Sequence, residues 1–190
     1  MSVVRQKQIK KRSDIIKNAI PLLQSVPFEE ISVKDICEAA NISNGSFYHY
    51  FNHKNDVLIG LLELIDIYMI ENVFPLLTHS SEIDNIKEIS RGFARHIVES
   101  GIEQAKLITS CRLTVLEEDQ LKRPLWQKLV EIIKRGQQKK EISIIFSPER
   151  TADLLIVAMS GVAVDWSRRD GSFSLEKQMD DFTELLFGSM

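Results

Sequence analysis

Residues 32–58 read SVKDICEAANISNGSFYHYFNHKNDVL, and four aromatic side chains lie within positions 47–51. Helical spacing of three and four residues puts three of these rings on one face of a short helix: Phe47, Tyr50 and Phe51. By the same spacing, the opposite face carries Asn44, Gly45, Tyr48 and His49. A helix this short is not stable in isolation, so it needs side chains that are buried against the rest of the chain. The sequence therefore predicts that the first face is buried and the second is exposed.

The residues before the short helix predict another helix and a tight turn. A single buried stripe at spacing i, i+3, i+4 and i+7 is formed by Val33, Ile36, Cys37 and Ala40. Ser32 stands three residues before Asp35, which is the spacing of a capping box. Ile42 would be the buried apolar residue of the turn, and Ser43 would cap the short helix. Two helices joined in this way form a helix-turn-helix, whose second helix can enter the major groove of DNA.

The predicted outer face has side chains suited to DNA. Asn44 can pair with an adenine edge or bind phosphate, and Ser46 offers a hydroxyl to either. Gly45 lets the backbone approach closely, and the ring of Tyr48 can lie on a thymine methyl group. Lys54 would begin the fourth helix, where a cation is a poor partner for the positive end of the dipole. A nearby phosphate would offset that repulsion, so we expect Lys54 to contact DNA.

The stretch ISVKDICEAANISNGSFYHYFNHKNDVL resembles the N-terminal signature of the TetR family of one-component transcriptional regulators. The resemblance implies an all-α dimer with a three-helix DNA-binding domain and a C-terminal domain that binds a small molecule. Carried over residue by residue, it implies DNA contacts at Ser32, Lys34, Ser43, Asn44, Gly45, Ser46, Tyr48, His49 and Lys54. The chain departs from the family at Asn44, where Lys or Arg is common, and in the turn after the first helix. There Pro21 should kink the helix or end it early.

The rest of the chain also predicts helices. At 190 residues with 44% hydrophobic and 27% charged side chains, it can bury a sizeable core and has no apolar run of 18 residues that would span a membrane. Pro and Gly are few, and no long segment alternates with period two. Nine helices are predicted, at about 6–25, 32–40, 43–51, 54–77, 82–100, 102–117, 121–139, 148–168 and 174–187. We expect a DNA-binding domain at 1–53 and an effector-binding and dimerisation domain at 54–190.

Charge is distributed unevenly along the chain. Residues 1–60 carry eight Lys and Arg against six Asp and Glu, whereas residues 61–190 carry sixteen against twenty-one. The local charges of +2 and −5 add to the net charge of −3. The segment from Arg5 to Arg12, RQKQIKKR, has five basic residues and no acid. This pattern suits contact with a polyanion at one end, although a solvated terminus explains the segment equally simply.

Apolar stripes in the last two helices predict a dimer. In the eighth helix one stripe comprises Leu155, Ala158, Met159, Val162 and Trp166, and a second comprises Leu154, Val157, Gly161 and Val164. The stripe on the ninth helix is Leu175, Met179, Phe182 and Leu186. Two such helices from each chain would form a four-helix bundle across a two-fold axis. We expect the first stripe and that of the ninth helix to form the interface. Which stripe of the eighth helix faces the partner is open from sequence, as is a fully internal helix pair.

An effector pocket is expected among helices four to eight. The fourth helix is apolar on nearly every side, so it should be buried and well placed to transmit movement. Candidate lining residues are Tyr68, Phe93, His96, Cys111, Arg112 and Trp126, each of which could instead serve core packing. Their composition suggests a hydrophobic or aromatic effector of moderate size.

Catalysis is not expected. The glycines form no phosphate loop, the four histidines have no i, i+4 pair on a predicted helix, and no metal motif or cofactor motif is present. Cys37 and Cys111 form no disulfide framework and indicate buried free thiols in a reducing cytoplasm. We therefore expect a cytoplasmic, ligand-released repressor that binds a palindromic operator as a dimer. A transcriptional activator of the same fold and a helical sensor or adaptor without DNA binding are the alternatives.

Overall fold

The computed structural model describes residues 3–111, 121 and 123–188, and every regular element in these ranges is helical. The α-helices are α1 (Val3–Ser25), α2 (Val33–Ala40), α3 (Asn44–Tyr50), α4 (Asp56–Tyr68), α5 (Glu82–Ser100), α6 (Ile102–Cys111), α7 (Pro124–Gln138), α8 (Pro148–Arg168) and α9 (Leu175–Phe187). The all-α prediction is confirmed. None of the described helices is long and apolar enough to cross a membrane.

Serine side chains begin most of these helices. Backbone N–H groups of the first turn donate to the hydroxyls of Ser32, Ser43, Ser81, Ser147 and Ser174. The capping box of Ser32 and Asp35 is complete, as the spacing predicted. Gly101 ends α5 with a φ of 82°, a conformation that costs glycine little. Side chains close in the sequence therefore determine where many of the helices begin and end.

The α1 helix runs through Pro21 and ends at Ser25, so Pro21 does not end the helix early. Proline removes one hydrogen bond of the helix. Ala19 and Leu23, however, are both buried in the core on either side of it. This packing holds the last turn of α1 in helical geometry despite the missing donor.

The fourth helix is buried on most of its surface, as predicted, but it is not uniform. It is α-helical from Asp56 to Tyr68, continues as a π-helical turn (Met69–Val73) and ends as a 3₁₀ turn (Phe74–Leu76). Gly60 permits a close approach to α1, because a Cβ there would lie 2.3 Å from Cδ1 of Ile16. The α4 helix is thus in direct contact with α1, and it also packs against α5 and α6.

The stripe expected at the dimer interface is mostly internal, and this corrects the prediction. Five of its residues lie in the core of the chain with at most 5% of their surface exposed: Leu155, Met159, Trp166, Leu175 and Met179. Ala158, Val162 and Phe182 are half-buried, whereas Leu186 is exposed. The reason is that α9 packs along α5, and the Met159 sulfur lies 3.8 Å from the Ser90 hydroxyl on α5. The other stripe of α8 is left outside, with Val157 66% exposed.

Candidate DNA interface and effector domain

The α3 helix has the two faces that its sequence predicts. Phe47 and Phe51 are buried, and their rings stack with centroids 5.0 Å apart. Tyr50 is half-buried, while Tyr48 has 59% of its surface exposed. Ser43 caps the helix by accepting a hydrogen bond of 3.1 Å from the Ser46 amide. The core rings therefore hold the helix so that its opposite side faces solvent.

Most of the predicted DNA contacts are accessible. Exposed positions on α2, on α3 and at their caps are Ser32, Lys34, Ser43, Asn44, Gly45, Tyr48 and His49, and Ser46 is half-buried. Lys34 makes one long ion pair of 3.7 Å with Glu38, and both side chains are largely solvated. Such a pair is worth little, so the ammonium group is free to exchange it for a phosphate. Contact of these residues with DNA stays a prediction.

Lys54 has a different position from the one expected. Its ammonium group donates to the carbonyl oxygens of Phe28 and Ile31, each at 2.8 Å, and lies 3.4 Å from that of Glu29. It also sits 4.5 Å from the centre of the Phe28 ring. An ammonium has three donors, and all three point at the loop between α1 and α2. The structure therefore does not support the phosphate contact expected of Lys54, which instead holds this loop in place.

Arg12 is a functional candidate that sequence reasoning missed. Its guanidinium binds the carboxylate of Glu63 on α4, with Nε and Nη2 at 2.8 and 3.1 Å from the two oxygens. It also donates to the carbonyl oxygens of Tyr50, the last residue of α3, and of Asp56, the first of α4. The same group lies 4.4 Å from the centre of the Phe51 ring. Arg12 thus joins α1, α3 and α4, although in the sequence it is only one of a basic cluster.

Of the six residues proposed for an effector pocket, the structure describes four side chains, and two of these line one cavity. Tyr68 and His96 line the same cavity, and their ring centroids are 4.6 Å apart. Phe93 is buried in the core, and the Trp126 indole donates a hydrogen bond of 2.8 Å to Asp153. Both side chains therefore contribute to packing or to hydrogen bonding within the chain. Arg112 and the side chain of Cys111 lie outside the described residues.

A buried ion pair fixes α4 against the start of α7. The Arg123 guanidinium donates to Asp66 at 2.8 Å and to the Leu62 carbonyl at 3.2 Å, and the Leu125 amide donates to the other Asp66 oxygen. Both charged side chains are at most 11% exposed. Because removing one member of such a pair leaves a buried charge, Asp66 constrains where α4 can lie. No group of three or more side chains able to hold a metal ion occurs among the described residues.

Glu82 should make the stability of the C-terminal helices depend on pH. Hydrogen bonds from Arg135, then Lys139 and Asn85, lower the pKa of this buried carboxyl to about 2. A pKa depressed in the folded state contributes stability above the unfolded pKa near 4.5, which is lost as pH falls towards 2. Glu82→Gln should therefore lower the free energy of unfolding by about 3 kcal/mol at pH 7 and by much less near pH 2.

Urea denaturation at several pH values measures this difference. Glu149→Gln is the control, since Glu149 is an exposed acid at the start of α8. Equal losses of stability for the two variants at pH 7 would show that the Glu82 network does not stabilise the C-terminal helices.

Comparison with known proteins agrees with this geometry. The family model for bacterial regulatory proteins of the tetR family matches residues 15–61, which contain the C-terminal part of α1, all of α2 and α3, and the start of α4. EthR of Mycolicibacterium smegmatis is 36% identical over 78 residues, covering 41% of this chain and 36% of that protein. BetI of Pectobacterium atrosepticum is 26% identical over 155 residues, which cover 80% of this chain and 76% of that protein. The alignments with EthR and with AcuR of Cereibacter sphaeroides span only 36% and 25% of those proteins.

Solved structures share the fold over nearly the whole chain. FadR from Bacillus subtilis, in complex with stearoyl-CoA, has a TM-score of 0.76 at 17% identity and covers 93% of this chain and 98% of its own. AibR, in complex with isovaleryl coenzyme A and operator DNA, has a TM-score of 0.62 at the same identity and coverage. An exposed α3 behind a capped α2 forms a helix-turn-helix in this all-helical fold. Residues 15–61 therefore resemble the tetR family of bacterial regulatory proteins, and the chain as a whole shares the fold of FadR and AibR.

Proposed function

We propose that the protein is a cytoplasmic repressor that binds a palindromic operator as a dimer and is released by a small molecule. The observation that carries the proposal is the outward face of α3, where Asn44, Gly45 and Tyr48 are exposed while Phe47 and Phe51 are buried. In this proposal residues 1–53 read DNA, residues 54–190 bind the effector and the partner, and no reaction is catalysed. An adaptor without DNA binding would have no need of this exposed face.

Exposed apolar side chains support the dimer. They lie on α8, on α9 and in the loop before α8: Leu154, Val157, Leu185, Leu186, Ile144, Ile145 and Phe146. Four of the seven are at least 66% exposed. An apolar groove between α8 and α9 is lined by four of the seven: Ile145, Phe146, Leu154 and Leu186. Contiguous apolar surface of this kind marks an interface. Two copies related by a two-fold axis would cover it with a four-helix bundle and present two α3 helices to two half-sites.

Release by an effector is supported by the contacts of α4. This helix meets α3 through Arg12, α7 through Arg123, and the cavity beside α5 through Tyr68. A ligand that binds one position of α4 more tightly would favour one position of each α3 helix. Coupling of this kind is typically worth ~1–3 kcal/mol and is reciprocal. FadR with stearoyl-CoA and AibR with isovaleryl coenzyme A and operator DNA are proteins of this fold with small-molecule partners.

The salt dependence of operator binding tests the DNA interface. If each protomer places Lys34 on a phosphate, Lys34→Ala should reduce the log–log salt slope by about 0.9 per protomer, or about 1.8 for the dimer. The measurement is fluorescence anisotropy with DNA from upstream of the protein's own gene, at several salt concentrations. Lys134→Ala, at an exposed lysine on α7, is the control and should leave the slope unchanged.

Several outcomes would count against the proposal. No preference for upstream DNA over random DNA would contradict a specific operator. An unchanged slope for Lys34→Ala would remove this residue from the interface. Transcription in vitro separates a repressor from an activator, because the repressor should lower transcript from its own operator and the effector should restore it.

A further inference from the structure

A cavity of about 230 Å³ lies where the three-helix N-terminal unit meets the effector domain. Its walls come from α1, α4, the π-helical turn, α5 and α6. Lys17 and Ile20 on α1 contribute one side, and Tyr68 and His96 contribute the other. The position matters because a molecule bound here touches both the helix that supports α3 and the helices of the effector domain.

The cavity has one apolar wall and one polar wall. Ile20, Leu64 and Ile67 supply an apolar side. On the polar side, Nε2 of His96 is buried and has no hydrogen-bond partner among the described residues. A buried polar atom without a partner costs about 1–3 kcal/mol, so a ligand that bonds to it would recover that energy. The Tyr68 ring, tilted by 38° with its centroid 4.6 Å away, packs against the imidazole.

The charges around His96 favour an acidic ligand. Burial, with a smaller contribution from the charge of Lys17, lowers the pKa of His96 to about 4, so its imidazole is neutral at pH 7. Lys17 is exposed at the rim of the cavity. Glu71 also lines the cavity but is exposed and can turn to solvent, and Arg95 and Glu99 act on Tyr68 rather than on His96. A positive charge therefore stands beside an unsatisfied nitrogen.

We propose that this cavity binds a small organic carboxylate, with the carboxylate between the Lys17 ammonium and His96 Nε2. The apolar part of the molecule would lie against Ile20, Leu64 and Ile67. Charge-assisted hydrogen bonds from Lys and His to a carboxylate are among the stronger polar contacts in proteins. The volume falls below the ~300–1,000 Å³ of drug-sized sites, so the ligand is small. Any effect on operator binding rests on the proposed repressor function, whereas binding itself does not.

Calorimetry and NMR on the full chain without DNA test the site. The probes are acetate, butyrate and benzoate, which share the carboxylate and differ in apolar size. We expect affinity to rise along that series and each bound probe to shift the His96 imidazole resonance. Benzoate should also raise the pKa of His96, because a nearby anion favours the imidazolium. Benzyl alcohol, which lacks the charge, should bind at least about tenfold more weakly than benzoate.

Matched variants locate the contact. Lys17→Met should weaken benzoate binding at least about tenfold, whereas Lys10→Met, at an exposed lysine on the same helix, should not change it. His96→Phe tests the second contact and should also weaken binding. Circular dichroism establishes that each variant is folded. The proposal is overturned if no probe shifts the His96 resonance, if Lys17→Met binds benzoate like the unchanged protein, or if inorganic phosphate binds as tightly as benzoate.

Operator binding is measured separately, so that the two proposals can fail independently. Lys17-dependent binding of benzoate with no effect on operator affinity would support the carboxylate site and contradict release through it. Failure to bind upstream DNA at all would contradict the repressor proposal while leaving the calorimetric result in force.

Discussion

Val157→Asp should convert the protein from a dimer to a monomer of 21.8 kDa and lower operator affinity by at least about 100-fold. Val157 is 66% exposed on the outer stripe of α8, so the substitution should not disturb the core of the chain. In the proposed dimer each protomer would bury one unpaired carboxylate, which costs several kcal/mol per ion. Operator affinity should fall with it, because two half-sites need two linked α3 helices. Light scattering and fluorescence anisotropy measure the two effects.

Leu76→Asp is the matched control for this experiment. Leu76 is 49% exposed, but it lies on the 3₁₀ turn after α4 rather than on α8 or α9. The same change of side chain there should leave both the dimer and operator binding intact. A Val157→Asp protein that stayed dimeric at micromolar concentration would place the interface elsewhere and would contradict the four-helix bundle.

The α8 helix shows where sequence reasoning reaches its limit. Helical periodicity identifies both of its apolar stripes, because spacing alone reveals them. Spacing does not show which stripe the chain uses for its own core, since that depends on how α5 and α9 pack against α8. The structure buries Leu155 and Met159 and leaves Leu154 and Val157 outside. Ile144 and Ile145, each 80% exposed, were missed because they lie in a loop without periodicity.

Lys54 illustrates a second limit. The dipole argument correctly notes that a lysine at the start of a helix needs a negative partner, and it assigns that partner to DNA. The structure supplies three backbone carbonyl oxygens from the loop between α1 and α2. These oxygens are 23 to 26 residues away along the chain, so no local pattern could predict the contact. By contrast, caps such as Ser32 and Ser43 were predicted because their partners are three residues away.

Arg12→Met should weaken operator binding about tenfold or more and lower the free energy of unfolding by about 2 kcal/mol. The guanidinium connects Glu63 on α4 with the Tyr50 carbonyl at the end of α3, and the side chain is only 23% exposed. Without it, that carbonyl and the Glu63 carboxylate lose a charged donor. Arg12→Lys should recover little of the loss, because one ammonium cannot replace a planar group with five donors.

The position of Arg12 predicts which part of the molecule responds. Hydrogen exchange should accelerate at the Phe51 amide, whose bond to the Phe47 carbonyl closes the last turn of α3. Amides inside α8 should keep their protection. Lys134→Met, at an exposed lysine on α7, is the control and should change neither operator affinity nor exchange at Phe51.

A double-mutant cycle with Glu63→Gln separates coupling from simple destabilisation. If Arg12 and Glu63 act as one connection between α4 and α3, the combined variant should lose less operator affinity than the sum of the two single variants, by about 1 kcal/mol. Additive losses would mean that Arg12 only stabilises α3 and that movement of α4 reaches the DNA by another route. Effector release is proposed to act through α4. If the cycle is non-additive, an effector that lowers the operator affinity of the unchanged protein should therefore have a smaller effect on the Arg12→Met protein.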